Sequence, residues 1–255
     1  MEFLSAFATD VGIKKKVNQD ALLIKTATTN KGEVTFACVC DGMGGLEQGE
    51  IASSHVICAL SDWFERNLPP ILNEDNIEVR VKEELNEVLH DCNRKLNAYG
   101  NRNGIQLGTT CTAALFIEDS YYVIHVGDTR LYEIMDTIQQ ITEDQTVLAR
   151  EIALGRVSPQ NAEHDTRGSI LLQCIGASSV LQPEFFSRKT RKGVVYLLCT
   201  DGFRHKISEA ELFNAFQPKY MTYEIIMEKQ CQDLIELNKE RMEKDNITVL
   251  LVKTI

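Results

Sequence analysis

The chain has 255 residues, of which 44% are hydrophobic, so it can bury the core of one large domain or of two small ones. Its formal net charge of −10 argues against nucleic acid or an anionic membrane surface as the main partner, because both would repel it. No run of about 18 apolar residues occurs, and the first residues include no cationic region. The sequence therefore predicts a soluble, cytoplasmic protein with neither a membrane nor a nucleic-acid partner.

The sequence contains eight cysteines, but their positions argue against disulfides. No CxxC pair occurs, so a zinc site of the usual spacing is not expected. We predict buried, reduced thiols, as in a cytosolic protein. Five of the cysteines lie inside apolar runs, where a free thiol behaves as a small hydrophobic group: Cys38, Cys40, Cys111, Cys174 and Cys199.

The first third of the chain is predicted to form three strands followed by a helix. Residues 2–9 and 20–27 have strand character, and apolar residues alternate with period two over 33–40. Helical periodicity runs from about 48 to 67. This helix should end at Pro69-Pro70, since proline cannot continue it.

The middle of the chain is predicted to form a second helix and then a block of strands. Apolar residues have helical spacing over 77–98, and we expect this helix to end before Gly100. Three short strands follow at about 109–117, 121–127 and 130–136. Because the turns between them are tight, consecutive strands should pair antiparallel.

Residues 146–175 differ from their surroundings, since one helix is predicted to end at Gly155 and another to begin at Ser158-Pro159. This stretch is expected to lie outside the sheets as a small subdomain. Blocks of strands interleaved with helices predict antiparallel sheets that have helices on their outer faces. The remaining predicted elements are strands at 183–188 and 194–200, a short helix with a capping box from Ser208 and Glu211, a helix at 222–243 and a strand at 246–253.

Five aspartates lie at the ends of these apolar, strand-like runs: Asp20, Asp41, Asp128, Asp201 and Asp245. A buried carboxylate is unfavourable unless a partner compensates its charge, and a divalent metal ion is the strongest such partner. Five strand-end acids therefore indicate an acidic cluster at one edge of a sheet, and with it a metal site. Carboxylate oxygens suit Mg²⁺ or Mn²⁺, and the histidines lack the paired spacing of a zinc site.

The strongest local motif is Asp41-Gly42-Met43-Gly44-Gly45, between a buried strand and a helix. Its glycines allow a sharp turn that brings backbone carbonyls close to an ion. A glycine-rich turn capped by Asp41 is the alternative for this pentapeptide alone.

Seven motifs in collinear order resemble the metal-dependent protein phosphatases, the type 2C serine/threonine phosphatases, and the compact length resembles bacterial members. The resemblance implies an α+β fold, a four-layer α-β-β-α sandwich of two antiparallel sheets flanked by helices. It also implies a single catalytic domain over 1–255 that includes a flap subdomain at about 146–180. The motifs are Gly12 with Asn18-Gln19-Asp20, Asp41-Gly42-Met43-Gly44-Gly45, Gly108-Thr109-Thr110, Val126-Gly127-Asp128-Thr129-Arg130, Ile141-Thr142-Glu143-Asp144, Thr200-Asp201-Gly202-Phe203 and Asp245-Asn246-Ile247-Thr248-Val249.

The same resemblance implies roles for the acids. Asp41 would bridge two metal ions, Mn²⁺ or Mg²⁺, and the carbonyl of Gly42 would bind one of them. Asp201 and Asp245 would complete the first ion's shell, and Asp128 together with Asp201 matches a third, weaker ion. Asp20 would hold metal-bound waters by hydrogen bonding. The implied reaction is direct hydrolysis of phosphoserine or phosphothreonine in proteins by a metal-activated water, without a phosphoenzyme.

Departures from the family pattern concern the residues around these ligands. Lys15 stands where an arginine usually binds the substrate phosphate, and we predict it as the catalytic, phosphate-binding cation among three consecutive lysines. Met43 replaces the histidine proposed as general acid in eukaryotic relatives. Gln19 replaces a glutamate and can still orient a water. His205 replaces an aspartate, which weakens the outer metal position.

The flap resemblance rests loosely on His164 and Arg167, with Gln173 where an arginine is common. Loops of this kind usually select the substrate, which we expect to be phosphoproteins of a cognate serine/threonine kinase. Two alternatives remain from the sequence. One is a catalytically weak, phosphatase-like regulatory or phosphoprotein-binding module, and the other is a metal-dependent nuclease, which the acidic charge disfavours.

Overall fold

The structure is a computed structural model that describes residues 1–43, 48–158 and 165–255. Part of the glycine-rich motif, Gly44-Gly45, lies outside the described residues. So do Pro159, predicted at the start of a helix, and His164 of the flap. Within the described ranges, no helix is both long and apolar enough to cross a membrane.

Two five-stranded sheets form the centre of the molecule, and every strand pair in them is antiparallel. The first sheet has the strand order β1-β10-β9-β6-β7, and the second has the order β2-β3-β4-β5-β8. The strands are β1 (Phe3–Asp10), β2 (Ala21–Thr29), β3 (Gly32–Cys40), β4 (Cys111–Ile117), β5 (Ser120–Val126), β6 (Arg130–Ile134), β7 (Ile138–Gln140), β8 (Glu184–Lys189), β9 (Val195–Cys199) and β10 (Ile247–Thr254).

Helices cover the outer face of each sheet. Those packed on the second sheet are α1 (Gly49–Arg66), α2 (Leu68–Ile71) and α3 (Ile77–Asn103). Those packed on the first are α5 (Asp201–Arg204), α6 (Glu209–Ala215) and α7 (Glu224–Glu240). A further helix, α4 (Val147–Ala153), and a 3-10 turn (Thr166–Ser169) lie between β7 and β8 in the chain.

Three apolar cores separate the four layers. One lies between the two sheets and includes Phe116, Tyr196 and Leu250. The other two lie between each sheet and its helices, where strand residues contact α1 and α3 on one side and α7 on the other. The predicted α+β sandwich of two antiparallel sheets is confirmed. Strands between two apolar cores are buried on both faces, and β4, in which every residue is buried, is mostly apolar for this reason.

The predicted pairing of consecutive strands is correct for β4 with β5 but wrong for β5 with β6. β6, within the predicted strand 130–136, joins the other sheet and pairs with β9 and β7. The chain crosses between the sheets at Gly127, whose φ of +107° is unfavourable for a residue with a side chain. A Cβ there would also lie 2.5 Å from the Thr110 side chain. Asp128 therefore lies in the connection from β5 of the second sheet to β6 of the first.

One predicted helix end is corrected, and another is confirmed. The second helix does not stop before Gly100 but continues to Asn103, with Gly104 in the left-handed conformation as its C-cap. Gly100 lies inside the helix, where a Cβ would approach the Ile105 carbonyl to 2.8 Å. Pro69-Pro70 follow the end of α1 as expected, but they also begin α2, because proline is favoured in a first helical turn.

The eight cysteines are free, as predicted, and Cys58 is the exposed one. Cys38, Cys40 and Cys111 meet on neighbouring strands. The Sγ of Cys38 lies 3.9 Å from that of Cys40 and 3.7 Å from that of Cys111. Sequence spacing did not reveal this group, because one member comes from β4. The three thiols pack as small apolar groups in the core between the second sheet and its helices.

Strand register explains why the five acids meet at one end of the sandwich. Ala21 pairs with Cys40, so Asp20 and Asp41, one residue beyond each, are neighbours in the second sheet. In the first sheet, Cys199 at the end of β9 pairs with both Val249 and Arg130, so the acids beside these strands reach the same end.

Candidate active site

The backbone at Asp41 is fixed by the start of the neighbouring strand. Its N–H donates to the Thr110 hydroxyl at 2.9 Å, and its carbonyl accepts from the Thr110 N–H and the Thr109 hydroxyl, both at 2.9 Å. Both threonines are buried. The Gly108-Thr109-Thr110 motif therefore holds the strand end that presents the Asp41 carboxylate.

Asp20 connects the two sheets through its carboxylate. Its Oδ2 accepts a hydrogen bond of 2.9 Å from the hydroxyl of Thr200, which lies at the end of β9. Burial raises the pKa of Asp20 to about 7, against the opposing effect of the Thr248 and Thr200 hydroxyls. The charges of Asp201 and Asp245 add to this rise.

We call Asp20, Asp41, Asp201 and Asp245 the inner acids. Burial raises the pKa of Asp41 well above its ordinary value, and the charges of the other inner acids raise it further. Asp128 contributes to the same repulsion. The strand register and these mutual effects on the pKa of Asp41 both place the inner acids near one another.

Lys15 is the lysine that faces the inner acids. Its Nζ lies 2.7 Å from Oδ1 of Asp245. Although burial works in the opposite direction, this contact and the nearby charges of Asp41 and Asp201 raise the pKa of Lys15. Lys14 and Lys16 are exposed. Of the three consecutive lysines, Lys15 is therefore the cation that the turn directs into the site.

Asn246 holds the lysine turn against the end of β10. Its Nδ2 donates to the carbonyls of Val11 at 2.9 Å and Val17 at 3.1 Å, while its Oδ1 accepts from the Gln19 N–H at 3.0 Å. It is 3% exposed. The sequence motif contained Asn246, but its role in positioning Lys15 and Asp20 was not predicted.

Two glycines allow the backbone around Asp245 to be enclosed from both sides. A Cβ at Gly12, whose φ is +76°, would lie 2.1 Å from the Asp245 carbonyl. A Cβ at Gly202 would lie 2.1 Å from the Asn246 carbonyl. Since neither backbone atom can move freely, a side chain at either position would displace an inner acid.

Gly42 permits a close approach between the second sheet and α1. A Cβ there would lie 2.5 Å from both the Gln19 and Gly49 carbonyls. Its N–H donates to the Gln19 carbonyl at 3.1 Å. The Gln19 side chain donates to Glu50 Oε2 at 3.2 Å, so an additional carboxylate borders the site from α1. Glu50 was not among the predicted site residues.

Asp128 and Asp144, which we call the outer acids, have cations of the chain itself as partners. Arg130 binds Asp144 through two parallel hydrogen bonds of 2.8 and 2.7 Å. Arg204 Nη2 donates to the Asp128 carbonyl at 3.2 Å and lies 3.6 Å from Oδ2 of each outer acid. Although burial opposes it, Arg130 and Arg204 hold the pKa of Asp144 below its usual range.

Asp128 itself is 5% exposed, and burial raises its pKa to about 7, with a further rise from Asp201. Arg204 and His205 oppose this rise. The His205 ring lies between two carboxylates, with Nε2 3.4 Å from Asp201 Oδ2 and Nδ1 3.5 Å from Glu243 Oε2.

The inner acids fit a metal ion. Oδ1 of Asp20 and Oδ1 of Asp201 are buried, and neither has a hydrogen-bond partner among the described residues. Each lies in a group of like charges, which one ammonium, that of Lys15, only partly compensates. Carboxylate oxygens are the ligands that Mg²⁺ and Mn²⁺ prefer. A divalent ion would offset both the free-energy cost of burying these charges and the repulsion between them.

A cleft of about 980 Å³ lies beside the outer acids. Asp128, Arg204 and His205 border one side, and α4 with the 3-10 turn borders the other. Of the predicted flap residues, Arg167 pairs with Asp165 in that turn. Gln173 instead donates to Gln145 Oε1 and to the Gln182 carbonyl, both at 2.8 Å, so it links the segment after the 3-10 turn to Gln145 and Gln182.

Comparisons with known proteins agree with this fold. A sequence model of the family described as "Protein phosphatase 2C" matches residues 13–236. The serine/threonine phosphatase stp of Listeria innocua is 30% identical over 249 residues, which cover 97% of this chain and 94% of that protein.

Solved structures give the same result. The serine/threonine phosphatase Stp1 from Staphylococcus aureus is 27% identical with a TM-score of 0.82, over 100% of this chain and 96% of that one. The catalytic domain of the serine/threonine phosphatase PstP, solved in complex with two manganese ions, is 25% identical with a TM-score of 0.77, over the full length of both chains. The chain belongs to the protein phosphatase 2C family.

Proposed function

We propose that this protein hydrolyses phosphoserine and phosphothreonine in proteins with the help of Mn²⁺ or Mg²⁺. The observation that carries this proposal is the group of inner acids at one end of the sandwich, where buried oxygens of Asp20 and Asp201 have no hydrogen-bond partner among the residues that the structure describes. Family membership supports the reaction, and the named relatives are serine/threonine phosphatases.

Asp41, Asp201 and Asp245, with the carbonyl of Gly42, would hold two metal ions. The ions would supply a hydroxide near neutral pH and charge stabilisation of the phosphoryl group. Asp20 accepts a hydrogen bond from Thr200 on one oxygen and has a second oxygen available, so it can orient a water towards the phosphorus atom. A third ion at Asp128 stays a prediction.

Lys15 would attract the phosphate dianion of the substrate. Its ammonium already lies at the edge of the inner acids, and its turn is fixed by Asn246. An ammonium acts as a point charge and lacks the two parallel donors of a guanidinium. We therefore expect Lys15 to contribute mainly to substrate binding.

The leaving alkoxide needs a proton, and Met43 cannot supply one. The Met43 N–H donates to the Gly108 carbonyl at 3.0 Å, so its backbone completes the turn while its thioether offers no acid. A water bound at the inner acids would be the proton donor.

The substrates would be phosphoproteins, and we propose a cognate serine/threonine kinase as the enzyme that makes them. The cleft between α4 and the outer acids has room for a polypeptide segment. The alternative, a catalytically weak regulatory module, is less well supported because the charges of the other four strand-end aspartates all act on Asp41.

The test is hydrolysis of a phosphothreonine peptide with Mn²⁺, with chelator, and in Asp41→Asn. Asp233→Asn, which changes an exposed surface acid paired with Lys229, is the matched control. We expect Mn²⁺-dependent turnover that is lost with chelator and in Asp41→Asn but not in the control. Absence of metal-dependent turnover in the wild type would favour the regulatory module.

A further inference from the structure

The outer edge of the site departs from the metal arrangement that the family resemblance implies. A third ion there would be shared by Asp128 and Asp201. In this chain both carboxylates already contact nitrogen groups of α5 and the residue that follows it. We propose that the Arg204 guanidinium, with the His205 ring, takes the place of the third metal ion, so that the protein binds two ions and not three. This inference rests on the proposed function.

The first observation is the position of Arg204. Its Nη2 lies 3.6 Å from Asp128 Oδ2, 3.6 Å from Asp144 Oδ2, and 3.2 Å from the Asp128 carbonyl oxygen. Its side chain is 15% exposed, and that of Asp128 is 8% exposed. One guanidinium therefore lies among three oxygen atoms in a largely buried setting, as a bound cation would.

The second observation concerns the other half of the expected ligand pair. Oδ2 of Asp201 faces the His205 ring at 3.4 Å, while Oδ1 is buried without a partner among the described residues. The opposite ring nitrogen of His205 contacts Glu243 at 3.5 Å. One oxygen of Asp201 therefore already contacts a nitrogen of the chain, and a shared outer ion would have to compete with this contact.

The local structure holds both groups in place. Arg204 is the last residue of α5, a helix that begins at Asp201 itself. Asp144, which also contacts Arg204, is bound on both oxygens by Arg130. Because the helix, the salt-bridge pair and Glu243 fix these positions, Arg204 is a built-in partner of the outer acids and not a side chain that happens to lie nearby.

A divalent ion and Arg204 exclude each other at this position. An ion between Asp128 and Asp201 would lie close to a guanidinium, and like charges repel strongly at short distance in a buried setting. A guanidinium cannot lose its proton to become neutral or to act as a ligand. The residue types at 204 and 205 therefore reduce the affinity for a third ion rather than supply ligands for it.

The first experiment counts bound Mn²⁺ by equilibrium dialysis and elemental analysis. We expect two equivalents in the wild type and in Asp128→Asn. The double variant Arg204→Ser/His205→Asp should bind a third, weaker equivalent, whereas Lys206→Ser, which removes a neighbouring exposed charge, should not. Three equivalents in the wild type that fall to two in Asp128→Asn would overturn the proposal.

The second experiment needs neither metal nor activity. In chelator, Arg204→Ser should lower the melting temperature, because it leaves the buried carboxylates of Asp128 and Asp144 without this cation. An unchanged or higher melting temperature would mean that Arg204 does not compensate the outer acids, and would overturn the proposal. Since this melt does not depend on turnover, failure of the inference is distinguishable from failure of the phosphatase activity.

Discussion

The inner and outer acids are the same residue type at the same end of the sandwich, yet their charges are compensated differently. The inner acids face one another and leave buried oxygens on Asp20 and Asp201 without partners among the described residues. The outer acids face arginines, with Arg130 bound to Asp144 through two hydrogen bonds and Arg204 close to both acids.

This difference separates two uses of a buried carboxylate. A carboxylate paired with a cation of its own chain contributes to folding, and breaking the pair is destabilising. A carboxylate that meets only like charges opposes folding until a ligand cation binds. Substitution of an inner acid should therefore mainly affect metal binding and catalysis, whereas substitution of Asp144 should mainly affect stability.

The largest effect is expected on catalysis at the inner acids. Asp201→Asn should lower the rate of phosphothreonine-peptide hydrolysis with Mn²⁺ by roughly a hundredfold or more, since it removes a ligand charge from the site. Asp128→Asn should lower it by less than about tenfold. Equal losses in the two variants, measured as kcat/KM, would contradict the division into inner and outer acids.

The next effect is on stability at the outer acids. Asp144→Asn should reduce the free energy of unfolding by about 2–3 kcal/mol, because it leaves Arg130 largely buried without its carboxylate partner. Urea denaturation measures this change, with Asp119→Asn as control for an exposed pair with Lys189. A loss that appeared only in the presence of Mn²⁺ would instead identify Asp144 as part of a metal site.

The metal-free protein should lose stability as the pH rises from about 5 to 8. Asp20 has its pKa raised to about 7 in the folded state, so the folded protein binds this proton more tightly than the unfolded chain. The stabilisation is complete below the unfolded pKa and is lost as the pH passes the folded value. Thermal melting in chelator should show a fall of roughly 5 °C.

Asp20→Asn provides the control for this pH dependence. It should make the profile in chelator less steep, because the amide does not titrate, while Asp41 still contributes its own raised pKa. A profile that is equally steep in Asp20→Asn would show that Asp20 does not contribute, and a melting temperature that rises towards pH 8 would show that the inner acids do not cause the effect.

The smallest effect is expected at the substrate-binding edge. Lys15→Ala should raise the KM for phosphopeptide about tenfold with little change in kcat, since a charge that attracts the ground-state phosphate contributes uniform binding. Lys14→Ala, at an exposed neighbour in the same turn, should leave the KM unchanged. If both variants changed the KM alike, the general positive charge of the turn would account for binding.

Much of the fold was predictable because strands buried on both faces leave long apolar runs, as in β4 and β9. Strand partners were less predictable. Local sequence gives no information on which sheet a strand joins, and the crossover at Gly127 depends on a positive φ and a contact with Thr110. Gly100 led to a wrong helix end for a similar reason. A glycine is needed there because the backbone of Ile105 comes close, and the helix continues past it.

The acids themselves were predictable because a strand-end aspartate is visible in sequence. The residues that contact and position them were not predictable, because their contacts are distant in the chain. Arg204 contacts Asp128, Glu50 contacts Gln19, and Asn246 contacts Val11. From the sequence, His205 was expected to weaken the outer metal position. In the structure, its ring lies 3.4 Å from Oδ2 of Asp201, which agrees with that expectation. Only the structure revealed Arg204 as the neighbouring cation.

The most direct test of the central claim is the shift in melting temperature that Mn²⁺ produces at neutral pH in the wild type and in Asp41→Asn. If Lys15 compensates the inner acids only in part and they form the metal site, Mn²⁺ should raise the melting temperature of the wild type clearly and that of Asp41→Asn little. In chelator, Asp41→Asn should melt above the wild type. An equal Mn²⁺ shift in both proteins would contradict the account.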